Sequence, residues 1–76
     1  MSELPVAPFD RVIRKAGAER VSESAAVALR DIMEALAYEI AKEAIEFAKH
    51  AGRKTVTKDD VKLAARHIMR LFGYAI

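Results

Sequence analysis

Apolar residues along this chain recur at helical spacing in three blocks separated by two short breaks. The longest block runs from Ser24 to Ala51, 28 residues without glycine or proline. Within it Leu29, Ile32, Met33, Leu36, Ile40, Ala44, Phe47, Ala48 and Ala51 follow the three- and four-residue steps that line one helix face. Good helix formers, chiefly Ala, Leu, Glu, Lys, Arg and Met, dominate the block. At 1.5 Å rise per residue such a helix extends roughly 42 Å. Two short neighbours in a chain of 76 residues cannot cover it, so the rod requires a partner.

The flanking blocks are shorter. Phe9, Val12, Ile13 and Ala16 form an i, i+3, i+4, i+7 stripe, with Arg11, Arg14 and Lys15 off it. Proline is tolerated in a first helical turn, so Pro5 or Pro8 opens this helix, which runs to Ala16. Gly17 suits a left-handed cap after it. Ser22 is placed to cap the long helix, with Glu23 against its positive end, and Gly52 closes that helix. Thr57-Lys58-Asp59-Asp60 approaches a capping box, with Asp where Glu or Gln is usual. The last helix is expected from Lys58 to about Leu71. Its core face is Val61, Ala64, Ala65, Ile68 and Phe72; Lys62, Arg66 and Arg70 face away. The pattern predicts an all-α chain in the order short helix, long helix, short helix.

Composition explains why a partner is needed. Domains of this size bury limited cores and are usually reinforced by disulfides, a metal or oligomerisation. The chain has no cysteine, and two histidines cannot complete a structural metal site. Oligomerisation remains. The N-terminus lacks the basic and apolar regions of a secretory signal, and no apolar run is long enough to span a membrane. An intracellular, cytoplasmic protein is the expectation.

Net charge is only +2, with a pI near 9.2, but its distribution is uneven. Arg11, Arg14, Lys15 and Arg20 precede the rod, and Arg53, Lys54 and Lys58 follow it. Acidic residues dominate the rod itself. Each break also joins a basic residue to a β-prone valine and a hydroxyl: Arg20-Val21-Ser22, and Lys54 before Thr55-Val56-Thr57. Segments of this kind can bond side by side. Within one chain they fall at opposite ends of the rod, so they meet only if two rods cross head to tail. Charge alone leaves two readings open, an ordinary solvated face and a grip on nucleic acid. Enzyme chemistry is excluded more firmly. Asp59 and Asp60 are adjacent and diverge by about 100° on a helix. There is no glycine-rich phosphate loop, and the serines have no base and orienting acid.

Three stretches carry a resemblance: Leu4-Pro5-Val6-Ala7-Pro8, Arg14 through Ser22 (RKAGAERVS), and Ala48 through Val56 (AKHAGRKTV), with Asp60 beyond. The chain resembles the archaeal histones over about residues 4–70, and more distantly the histone-fold core of nucleosomal histones. The resemblance implies one histone-fold domain over 1–76, with a core of about 4–70 and an apolar tail, 71–76. It implies an intertwined antiparallel handshake dimer, formed with itself or a paralogous histone. Further dimers would stack on it, and double-stranded DNA would be wrapped or compacted with little sequence specificity. Such a protein is chromosome-associated, in the nucleoid.

Several residues acquire roles by that resemblance. Arg11, Arg14, Lys15, Arg20, Lys54, Thr55 and Lys58 are the implied DNA contacts, Arg20 in the minor groove and Lys54 with Thr55 on phosphates. Arg53 and Asp60 form an ion pair that braces the second loop. Leu29, Ile32, Met33, Leu36 and Ile40 form the dimer core. Phe47, His50, Asp60 and Leu63 lie where dimers meet; the plainer role for His50 is a C-terminal turn residue. His67 is expected on the surface. No catalytic residue, metal or cofactor is implied. The alternative function is a histone-fold interaction subunit that binds DNA weakly or not at all.

Two features depart from the family pattern. Thr57 stands where relatives often carry lysine, with Lys58 as its neighbour. The end, Leu71-Phe72-Gly73-Tyr74-Ala75-Ile76, is strongly apolar. Either Phe72 completes the last helix and the rest frays, or Tyr74 and Ile76 pack on a neighbouring subunit.

Overall fold

The computed structural model describes residues 3–71, which form α1 (Ala7–Lys15), α2 (Glu23–His50) and α3 (Lys58–Arg70). No strand occurs among the described residues. The helices start and stop where local chemistry dictates. Val6 caps α1 without a side-chain bond; its carbonyl accepts from the N–H groups of Phe9 and Asp10 at 2.9 and 3.2 Å. Pro8 lies in that first turn, where its missing N–H costs nothing, and Pro5 stays outside the helix. Ser22 caps α2: its Oγ accepts from the Ala25 N–H at 3.1 Å.

Both α1 and α2 end in the same motif. After α1, the Gly17 N–H donates to the Arg14 carbonyl and the Ala18 N–H to that of Ile13. After α2, Gly52 donates to Lys49 and Arg53 to Ala48, both at 2.9 Å. These are the paired bonds of a Schellman cap, which satisfies the last carbonyls and turns the chain sharply. The turn needs positive φ, +124° at Gly17 and +73° at Gly52, which only glycine adopts without strain at both values. α3 opens on a complete capping box: the Thr57 side chain accepts from the Asp60 N–H, and the Asp60 carboxylate accepts from the Thr57 N–H. The shorter aspartate suffices in place of glutamate.

The chain divides into two compact units, Met1–Leu36 and Ala37–Ile76. In the first, α1 and the start of α2 are tied by the N-terminal segment. Arg30 Nη1 donates to the Leu4 carbonyl at 3.3 Å, and the Glu3 N–H to Glu34 Oε2 at 3.4 Å. Among its described residues only Ala26 is buried, while Phe9, Ile13, Leu29, Met33 and Leu36 are half-buried. In the second unit α3 packs on the end of α2 through Ala44, Ala48 and Ala64, with Ile40, Phe47 and Ile68 half-covered.

Alanine is thus the largest apolar side chain buried among the described residues. Fully burying a leucine, isoleucine, phenylalanine or methionine contributes about 1.5–3 kcal/mol. Here most of that gain is unrealised, and Ile32 is 60% exposed. Val61, expected to face the core of α3, is 44% exposed. Its flank, with Ala65, lies beside the row of Asp60 and Ala64 that α3 turns inward, and the groove there is rimmed by Lys62 and Arg66. Phe72, Tyr74 and Ile76 lie outside the described residues.

Candidate nucleic-acid interface

The basic residues cluster at the two loops, and each loop is built around an arginine. In the second, the Arg53 guanidinium grips Asp60 through two bonds, Nη1 to Oδ2 at 2.7 Å and Nη2 to Oδ1 at 2.8 Å. Nη1 also donates to the Thr55 carbonyl at 3.1 Å. Asp60 is buried, 5% exposed, and its Oδ2 takes two further bonds from the Thr57 N–H and hydroxyl, at 2.8 and 3.0 Å. A carboxylate with this many donors strongly favours its charged form. The arginine bond first, then the Thr57 N–H, holds the Asp60 carboxyl well below the usual carboxylate range despite burial. The same bond raises the Arg53 guanidinium above its ordinary value. Loop 2 is therefore pinned to the first turn of α3, and Lys54, Thr55 and Lys58 are presented from it, all exposed.

The first loop leaves the Gly17 cap and reaches Ser22 through Ala18, Glu19, Arg20 and Val21. Arg14, in the last turn of α1, bonds Asp10 Oδ2 from Nε at 2.9 Å and reaches the Glu19 carbonyl from Nη1 at 3.4 Å. Arg20 follows directly and is exposed, as are Arg11 and Lys15. Among the described residues, the side chains of Arg11, Lys15, Arg20, Lys54 and Lys58 have no hydrogen-bonding or ion-pair partner. Arg14 does have partners, so it differs from the other cations with which the sequence groups it.

The apolar residues expected at chain–chain contacts are placed as follows. Leu29, Met33, Leu36 and Ile40 are half-buried and Ile32 is exposed. Phe47 and Leu63, the latter 48% exposed, line one open groove with Glu43, Arg66, His67 and Arg70. His50 is exposed near the end of α2, and Asp60 faces inward to Arg53.

Three polar contacts escape the sequence reading. The Asp10–Arg14 pair has a visible signal in its i, i+4 spacing. Arg30, whose side chain is only 18% exposed, bonds both Asp31 and the Leu4 carbonyl, and no local spacing announces the second bond. His67 Nδ1 contacts Glu43 Oε1, an ion pair when the imidazole is protonated; the two meet only because α3 packs on α2.

Comparison with known proteins identifies the assembly of these parts. The family described as histone-like transcription factor (CBF/NF-Y) and archaeal histone matches residues 2–65. The chain belongs to this family. It is 64% identical over 66 residues to one of the subunits of archaeal histone HAN1 from Thermococcus zilligii, covering 87% of this chain and 98% of that one. It is 53% identical to probable archaeal histone 3 of Methanocaldococcus jannaschii, over the same shares of each chain. The three helices, short, long and short, are those of the histone fold. A histone is a DNA-binding chromatin protein, structural rather than enzymatic, and the chain is one by family. Among the described residues, no helix is long and apolar enough to cross a membrane.

Proposed function

We propose that this chain forms a handshake dimer, with itself or a paralogous histone, and that dimers assemble further to wrap or compact double-stranded DNA with little sequence preference. In this reading the histone-fold domain, core 4–70, is completed only between two chains. Leu29, Ile32, Met33, Leu36 and Ile40 supply the apolar surface that the partner covers. Crossing two α2 helices head to tail sets loop 1 of one chain beside loop 2 of the other. Arg20 then shares a surface with Lys54 and Thr55.

The observation that carries the DNA reading is that the cations in and beside the two loops, Arg11, Lys15, Arg20, Lys54 and Lys58, have exposed side chains without a protein partner among the described residues, a state that Lys62, Arg66 and Arg70 of α3 share. Such groups can neutralise phosphates and release their counterions. An arginine entering a narrow minor groove reads width rather than base identity. Backbone N–H groups at the start of α2 and α3 add donors for phosphate oxygens. None of these contacts selects a sequence, which suits a chromosomal protein of the nucleoid, in the cytoplasm.

Further stacking of dimers draws on the groove of Phe47 and Leu63, with His50 approaching Asp60 across it. Among the described residues, Asp60 Oδ1 accepts only from Arg53, so one lone pair there remains for a second chain. Affinity for mixed-sequence duplex DNA, measured against salt, tests the reading. Tight binding that falls steeply as salt rises supports it. Absence of binding at low salt would overturn it in favour of a histone-fold interaction subunit.

A further inference from the structure

We infer that Arg14 is a positioning residue: anchored by Asp10, it straps loop 1 so that Arg20 is presented to DNA, and it does not itself hold a phosphate. The inference rests on the proposed DNA binding.

Loop 1 needs such a strap. The Schellman bonds at Gly17 and Ala18 fix the chain as it leaves α1, and Ser22 fixes it again at the start of α2. Among the described residues, the bond from Arg14 Nη1 to the Glu19 carbonyl is the one that reaches the backbone of residues 19–21. That carbonyl belongs to the peptide unit whose N–H is that of Arg20. Holding it restricts the loop at the residue expected in the groove.

The arginine is also poorly arranged for phosphate. Its single Nε N–H is committed to Asp10 at 2.9 Å and one Nη1 N–H points at the carbonyl, which leaves the second Nη1 N–H and those of Nη2. Asp10 is about a third exposed, 34% by its side chain, and would stand against the same phosphates. A carboxylate there opposes DNA unless its charge is taken up, and Arg14 takes it up.

Loop 2 repeats the construction. Arg53 joins a helix carboxylate, Asp60, to a loop carbonyl, that of Thr55, beside the exposed Lys54. In both loops an arginine links a helical aspartate to a loop carbonyl: in loop 1 its peptide unit carries the Arg20 N–H, and in loop 2 it is the Thr55–Val56 unit, one residue past Lys54. The second is better buried, and the first is its looser counterpart.

The test exploits opposite signs. Asp10→Asn removes a negative charge from a DNA-facing surface. If Arg14 held phosphate, this variant would bind mixed-sequence duplex more tightly. If Arg14 is a strap, it binds more weakly, by about 2- to 10-fold from lost preorganisation, with an unchanged slope of log affinity against log salt. Arg14→Lys keeps the charge but loses the fork, and is expected to weaken binding similarly. An exposed i, i+4 pair adds little stability, so these variants fold. Amide exchange in the DNA-free protein gives a second readout: exchange at Arg20 and Val21 accelerates in Asp10→Asn. Tighter binding by Asp10→Asn, wild-type behaviour of Arg14→Lys, or unaltered exchange at both amides would overturn the strap alone. A wild-type protein that binds no duplex overturns the DNA reading and the strap with it.

Discussion

Arg53 and Asp60 face each other through two parallel bonds, 2.7 and 2.8 Å long, and Asp60 accepts from Thr57 on the same oxygen that takes the shorter of them. One carboxylate therefore ends a loop and begins a helix. Because its pKa is depressed in the folded state, its contribution is fully present above the ordinary carboxylate value of about 3.9. It is lost as pH falls below that value toward the folded one. Thermal or urea unfolding followed from pH 6 down to pH 2 should show this as a declining limb. Asp60→Asn is expected to be less stable at neutral pH and to lack much of the decline. Equal acid slopes in the two proteins would refute the assignment.

Leu36 lies near the middle of α2 and is half-buried in the isolated chain. If two rods cross there, Leu36→Asp places an unpaired charge in the contact from each chain, costing about 3–5 kcal/mol per site. The expected outcome is loss of dimer by sedimentation, with loss of most helical circular dichroism. A folded, stable monomer would show that the chain does not depend on its partner.

The two capping glycines are predicted to differ. Nothing lies within 4 Å of where a Cβ would stand at Gly17 or Gly52, so only backbone strain opposes a side chain. At φ +73°, Gly52→Ala enters the left-handed region at about 1–2 kcal/mol. At +124°, Gly17→Ala lies well outside it and should cost more. Chemical denaturation of both variants checks the order.

Lys54→Ala should weaken binding to all duplex sequences alike. It should also lower the salt slope by about 1 for each copy that holds a phosphate. A sequence-dependent loss would mean that Lys54 reads bases.

Much of this molecule is legible in its residues. The glycines and prolines bracket the helices because backbone conformation there is a local matter. Ser22 and Thr57 announce their helices for the same reason. What eludes pattern is anything decided by packing between elements. Val61 fits the core stripe of α3 by spacing, yet its flank stays open within the chain. His67 is on the surface as expected, yet nothing in its spacing announces that α3 sets it against Glu43. Arg14 is the subtler case: grouped with its basic neighbours by charge, it is set apart by the carboxylate one turn before it. A count of cations does not distinguish one facing solvent from one engaged in holding the backbone.

The all-alanine interior has a consequence for how the protein comes to exist. A chain that buries Ala26, Ala44, Ala48 and Ala64 and nothing larger among its described apolar residues gains little by folding in isolation. If its folding is completed on a second chain, it becomes a second-order process, and the folded fraction depends on concentration. The thermal midpoint then climbs with protein concentration and has no single value. In a cell holding several histone chains, their relative synthesis, more than any one chain's own fold, decides which pairs form.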